Sequence, residues 1–393
     1  MKKQIFSSIK NTRADFQQIS RETKAGKVVK FGVDNDFPNH LITLYNNSAI
    51  HSTAVNSIVD AIIGEGLTAN VEAVLDRANS EGETWNDIYT KVAKDFKLFG
   101  SFALEVIWSQ TGTKIVDVYH IDMSYVRAAE CNYRGKIEGY YISEDWKKSN
   151  LKDVPYLPVF NPEKSTVQPN QILVYSPYAP GKKYYSFPDY VGALKVIDLD
   201  RKIDDFHITY ISNGAVPSLA VTTFTGAEED ERQEIERQLR AQYAGEDGAG
   251  QIFYMDVADP TKAPKIEPIQ ASSGDQYYVD LNSSTTQKIL TAHRITSPLL
   301  LGIQQPGSLG NRSELVDAWL LFYNKVIKPY QQQILRVFET IFDVNYDEKI
   351  TLGVQVINMF DDGTQEAEVI TSAEATTVED AKLNDKVNED TSL

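Results

Sequence analysis

Residues 273–343 read SGDQYYVDLNSSTTQKILTAHRITSPLLLGIQQPGSLGNRSELVDAWLLFYNKVIKPYQQQILRVFETIFD. Ser273-Gly-Asp-Gln has capping-box spacing and opens a helix that must stop before Pro298, because the residue ahead of a proline is driven out of helical geometry. The middle of that helix, Asn282 to Gln287, is almost wholly polar. Such a helix is wetted on one side or packed against copies of itself. Past Pro298, the glycines Gly302, Gly307 and Gly310 with Pro306 predict a loop over 298–312. A long helix follows from Arg312 or Ser313 to Phe342, with a kink expected at Pro329. Leu315, Phe322, Val326, Ile334, Val337, Phe338 and Ile341 give it an apolar face, so it belongs in the core.

Working outward, the stretch before this block predicts a second long helix over 186–213. Ser186-Phe187-Pro188-Asp189 supplies a cap candidate and a first-turn proline, and Asn213-Gly214 a stop. Its apolar residues fall on two lines: Tyr190, Leu194 and Ile197 on one, Leu199, Ile203, Phe206 and Tyr210 on the other. Two stripes imply two neighbours. Residues 214–272 then form a compact insert with a strand near Val216–Thr223, a helix opened by Thr225-Gly-Ala-Glu228, and a strand over Gln251–Val257. The outer face of the insert helix carries Glu229, Asp230, Arg232, Glu236 and Arg237, a solvated face or a docking surface.

The N-terminal 185 residues alternate helix and strand patterns and read as one α+β unit. Ile50, Ala54, Ile58, Ala61 and Ile62 mark a helix stopped by Gly64; Trp85, Ile88, Val92, Phe96 and Phe99 mark another that starts after Thr84 and stops at Gly100. The period then switches to two over Ser101–Trp108 and Lys114–Tyr119, a hairpin. Six prolines between 151 and 180 restrict that stretch to loop or edge strand.

Composition narrows the function. Thirty-nine basic residues against 55 acidic ones leave a net charge of −16, which excludes gripping nucleic acid through a broad basic face. From Asp361 to Leu393, ten acids stand against Lys382 and Lys386, and no aromatic follows Phe360. This segment reads as a mobile acidic tail. Cys131 is the one cysteine, so no intramolecular disulfide forms. No run is apolar enough for a signal or a membrane span, and a soluble protein made in the cytoplasm is expected.

Three features in order now carry a resemblance: FHITYISNGAVPSLAV from Phe206, IFYMDV from Ile252, and the block from Asp275 onward. Together they resemble the central and C-terminal part of tailed-bacteriophage portal proteins, in which an aromatic-rich helix ends at asparagine-glycine, a later helix closes on a proline, and a glycine loop leads to a long proline-containing helix. The resemblance implies an α+β portal-type fold: 1–185 as wing, 186–213 and 273–297 as stem helices, 214–272 as clip, 298–312 as tunnel loop, 313–343 as a helix returning to the wing, and 344–393 as a reduced crown.

It also implies a dodecameric ring of this chain at one capsid vertex of a virion, a channel for packaging and ejecting double-stranded DNA. The implied partners are a packaging terminase, a capsid or scaffold protein and a head–tail adaptor, with no cofactor and no membrane. An acidic lumen suits that task, since it releases the duplex instead of holding it. Local contacts are expected at the tunnel loop, Gly302, Gln304, Gln305, Pro306, Gly307, Ser308, Gly310, Asn311 and Arg312, with Lys288, Arg294 and Arg312 as DNA-facing cations. Leu199, Ile203, Phe206 and Tyr210 are the expected contacts between neighbouring subunits.

Enzyme motifs are not read. Gly26-Lys27, Gly135-Lys136 and Gly181-Lys182 are each followed by a residue other than Ser or Thr, so no phosphate loop forms. His40, His51, His120, His207 and His293 show no metal-ligand spacing, and His120 with Asp122 makes only a surface or core pair. For His293 a structural role is expected. Two alternatives stay open: a tail or baseplate ring protein, and a soluble enzyme with an unrecognised site.

Overall fold

In a computed structural model of the chain, the described residues are 22–25, 27–147, 153–163, 168–212, 219–223, 228–243, 252–256, 274–295, 297–301, 312–357 and 369–371. The chain divides into two compact units, one of residues 1–192 with 290–393, the other of Ala193–Ile289. The first unit is therefore assembled from two separated stretches of sequence.

Three helices lead the first unit: α1 (Phe37–Asn47), α2 (Ala49–Ile63) and α3 (Trp85–Phe99). Ser48 caps α2 by accepting from the His51 amide, and Gly64 ends it at φ +60°. Thr84 and Asp87 close a reciprocal capping box on α3, and Gly100 ends it in the left-handed conformation. Such boxes satisfy amide donors that a helix start leaves unpaired. The C-terminal carbonyl of Ile62 is buried and takes two donors, Tyr89 Oη at 2.7 Å and Gln331 Nε2 at 3.0 Å. Ile58, Ile62, Ile88, Val92, Ile334, Leu335 and Phe338 lie in one continuous apolar core.

The strands form small sheets around these helices. A hairpin of β1 (Glu22–Ala25) and β2 (Val28–Phe31) stands apart from β3 (Gly66–Ala69). The expected hairpin is β4 (Phe102–Trp108) against β5 (Ile115–Ile121); β6 (Val126–Ala128), β7 (Gly139–Ile142) and β8 (Tyr156–Pro158) form a second antiparallel sheet. The proline-rich stretch supplies β8 and β9 (Asn170–Tyr175), and both are edge strands, β9 pairing with β4.

The second unit has α4 (Leu194–Ser212), β10 (Leu219–Thr223), α5 (Glu229–Tyr243), β11 (Ile252–Asp256) and α6 (Gly274–Ala292). Strands β10 and β11 pair in parallel, and α5 packs on β11. This is the crossover that parallel pairing requires. The last three residues of α6 belong to the first unit.

The chain then runs through a short 3₁₀ turn, Pro298–Leu301, and into α7 (Arg312–Phe322) and α8 (Lys328–Asn345). The expected kink at Pro329 takes the form of a π-helical turn over Tyr323–Ile327, where the Lys328 amide reaches back to the Tyr323 carbonyl. Proline offers no N–H and crowds the carbonyl four residues back, and the wider turn ahead of it makes the room. Among the described residues, no helix is long and apolar enough to cross a membrane.

Four expectations need correcting. The helix expected over 186–213 winds as α-helix only from Leu194, because Ser186, Asp189 and Tyr190 are engaged by α3 and the turn after α6. The helix expected to reach residue 297 ends at Ala292, in a turn set by Arg294. Residues 350–355 are not a separate crown: β12 (Leu352–Gln355) pairs antiparallel with β3, and Ile350, Leu352 and Val354 are core residues. Within the expected mobile tail, β13 (Val369–Thr371) adds to β12, since its Val-Ile-Thr run suits a strand.

Candidate functional site

A buried polar cluster of the first unit lies where the chain leaves that unit and where it returns. On the leaving side, residues 186–190 dock over the C-terminus of α3, whose last carbonyls lack helical partners. Ser186 Oγ donates to the Gly100 carbonyl at 2.6 Å, and Tyr190 Oη donates to the Leu98 carbonyl at 2.7 Å. Gly100 permits this approach: a Cβ there would stand 2.2 Å from the carbonyl of Phe187.

The docking brings Asp189 to Lys97. Lys97 Nζ, fully buried, lies 2.7 Å from Asp189 Oδ1, and Arg294 Nη2 lies 2.9 Å from Asp189 Oδ2. The rings of Tyr190 and Tyr330 stand 5.7 and 5.6 Å from the Lys97 ammonium. Burial pulls the Lys97 pKa below its ordinary value although Asp189 opposes it. Burial would raise Asp189, but Lys97 and Arg294 outweigh it and hold the carboxyl below the usual range. One carboxylate thus serves two cations.

Arg294 enters on the returning side. It follows α6 with φ +59°, its amide bonds to the Thr291 carbonyl, and the Ile295 amide bonds to the Leu290 carbonyl. This is the two-bond Schellman ending with arginine where glycine is usual. A left-handed non-glycine residue costs roughly 1–2 kcal/mol, and the Asp189 bridge offsets part of that. Arg294→Gly is therefore expected to keep its thermal midpoint close to that of the unmodified protein. Arg294→Ala, which loses the bridge and keeps the strain, should be less stable than the glycine variant by about 1 kcal/mol. Equal midpoints for the two variants would remove the backbone argument.

Beside this bridge lies a pair of histidines. His51 Nδ1 and His293 Nε2 are 2.9 Å apart, both side chains are fully buried, and Tyr190 packs on each ring. Burial, aided by Lys97 and Lys94, pushes His51 down to about 3. Burial, with Lys97 and His51, holds His293 well below its ordinary value. The histidines are scattered in sequence, yet two of them meet here across 242 positions. His120 does not act with Asp122: it pairs with Asp95 at 2.9 Å, while Asp122 accepts from the Ser124 amide.

The other sequence-named residues are placed as follows. Lys288 is exposed on α6, and Arg294, expected to face DNA, is half-exposed and committed to Asp189. Gly302, Gln304, Gln305, Pro306, Gly307, Ser308, Gly310 and Asn311 lie outside the described residues; Arg312 starts α7, its side chain undescribed. On α5, Glu229 and Asp230 are exposed, Arg232 is partly covered, Arg237 is held by both oxygens of Glu234, and the side chain of Glu236 is not described. On α4, Leu199 and Phe206 are 37 % and 44 % exposed, but Ile203 is 7 % exposed, covered by its own chain; the side chain of Tyr210 is not described. Ile203 thus leaves the stripe expected to meet a neighbour.

Among the described residues, no group of three His, Cys, Asp or Glu could hold a metal ion. What the cluster offers is mechanical: a buried bridge tying α3 to both chain crossings.

The family model described as phage portal protein matches residues 66–376. A chain of the virion of a native gene transfer agent (GTA) particle shares the fold at a TM-score of 0.58 and 15% identity, over 94% of this chain and 93% of its own. A chain from the neck of a native GTA particle, computed with C12 symmetry, aligns at a TM-score of 0.56 and 14% identity, over 86% and 89%. An HK97-family phage portal protein from Corynebacterium diphtheriae aligns at 0.46 and 9% identity, over 78% and 92%. No curated protein matches. With the family model covering well over half of its length, the chain belongs to the phage portal protein family.

Proposed function

We propose that this chain is the subunit of a homo-oligomeric ring at one capsid vertex of a tailed particle. The ring is the channel for packaging and releasing double-stranded DNA, and the seat for the packaging terminase, capsid protein and head–tail adaptor. The observation that carries this reading is the portal family match over residues 66–376, joined to a fold shared along 94% of the chain with a GTA virion component. Three further features support it. Leu199, Phe206 and Ile208 on α4 and Val279 on α6 are apolar and exposed, an arrangement that a lateral neighbour would cover. The α6 residues Asn282, Ser283, Ser284, Gln287 and Lys288 form a wetted polar run. The net charge of −16 lets a duplex slide without adhesion. In this reading the wing is 1–185, the stem helices lie within 186–213 and 273–297, the clip is 214–272, and 298–312 is the constriction.

The test is particle mass with negative-stain imaging of the purified protein. A closed ring of about a dozen subunits, with an axial opening wide enough for a duplex and a flared rim, is expected. Phe206→Asp should shift the mass to small soluble species, since a desolvated charge at a subunit contact costs several kcal/mol. Ile203→Asp should instead give insoluble protein, because that side chain is buried within the subunit. A ring without the flared rim would favour a tail component, and a monomer at every concentration would overturn the ring.

A further inference from the structure

We propose that the His51–His293 contact is an acid-released latch that holds the last turn of α6 against α2 within the first unit. An N···N contact of 2.9 Å requires one hydrogen between the two rings. Two neutral imidazoles hold two ring hydrogens, so the second must sit on an outer nitrogen. The outer nitrogens, His51 Nε2 and His293 Nδ1, have no hydrogen-bond partner. The neutral pair thus already leaves one buried donor and one buried acceptor unmet. A first added proton puts donors on both outer nitrogens and a positive charge on the pair. A second puts hydrogens on both inner nitrogens, and the contact cannot survive.

The surroundings oppose each of these protons. From α1 comes the ring of Tyr45, from α3 come Lys94 and Lys97, and from the turn after α6 comes Arg294. From the segment before α4 come Tyr190 and Asp189, and Tyr330 of α8 flanks Lys97. Asp189 is the one carboxylate in this set, and Lys97 and Arg294 already engage both of its oxygens. The sign follows: a histidine whose folded pKa is lowered to about 3 from 6.5 binds fewer protons folded than open. Closure is therefore fully favoured above pH 6.5 and weakens as the pH falls below it. Two pH units below neutrality, opening that frees one such histidine is favoured more than tenfold over its neutral level.

The latch belongs to the single chain, so its test does not depend on ring assembly. Hydrogen exchange of the full chain, corrected for intrinsic rates, is compared at pH 7.5 and pH 5. The Arg294 and Ile295 amides, which bond to Thr291 and Leu290, should lose protection at least tenfold at the lower pH, while β4 amides keep theirs. In the His51→Leu/His293→Met double variant the two pH values should give equal protection. Loss of the same size in that variant, or unchanged protection in the unmodified protein, overturns the proposal. If the variant does not fold, deuterium exchange at the imidazole C2 position of the unmodified protein decides. Retarded, acid-shifted titration of His51 and His293 relative to exposed histidines supports the latch, and a midpoint near 6.5 with protection intact sinks it.

Discussion

Asp189→Ala is expected to destabilise the first unit by about 3–5 kcal/mol, the range for breaking a buried ion pair by removing one partner. The loss arises less from the missing attraction than from what remains: the Lys97 ammonium, wholly enclosed between Tyr190 and Tyr330, with no anion. Arg294 reaches solvent and tolerates the change. Chemical denaturation followed by tryptophan fluorescence measures the effect, and the Lys97→Met/Asp189→Leu double variant separates the causes. Apolar replacement of both partners should recover most of the loss, as seen when buried pairs are exchanged for packed hydrophobic groups. A double variant as weak as Asp189→Ala would mean that the bridge itself contributes the stability.

Gly100→Ala should have an effect of similar size, about 3–5 kcal/mol, through an unrelated cause. The residue sits at φ +75°, and its new Cβ would meet the carbonyl carbon and oxygen of Phe187 at 2.2 Å and the Pro188 nitrogen at 2.5 Å. Backbone cannot rotate aside as a side chain does, so the segment 186–190 must lift from α3. Gly82→Ala is the control: it also has positive φ, at +90°, with nothing within 4 Å of the added atom. That variant should lose only the roughly 1–2 kcal/mol of left-handed strain. The difference between the two, read from the same denaturation curves, isolates the close approach. Equal losses would show that strain alone keeps glycine at position 100.

Structure in this chain is legible in the sequence where partners are local, and illegible where they are distant. Thr84, Asp87 and Gly100 announce the ends of α3 because capping partners lie within four residues of one another. The same logic fails at Ser186 and Asp189, which look like a helix start but bond to residues 86 and 92 positions away. His51 and His293 carry no local signature, since burial and a partner 242 residues distant give them their character. Ile203 shares the period of Leu199 and Phe206, yet periodicity does not say whether a face meets its own chain or another. The π turn before Pro329 was half legible: proline marks the disturbance, and the added residue that widens the turn has no sequence mark.

The pairing of β3 with β12 sets the order of events during synthesis. Gly66–Ala69 waits for Leu352–Gln355, so the core of the first unit stays open until almost the whole described chain has been made. At roughly 5–20 residues per second the gap lasts some tens of seconds, whereas the second unit is continuous in sequence and ends at Ile289, before β12 is made. Until then Leu67 lacks its strand partner Val354, and long-range closure of this kind is slow. A chain cut short before residue 352 therefore cannot complete its core.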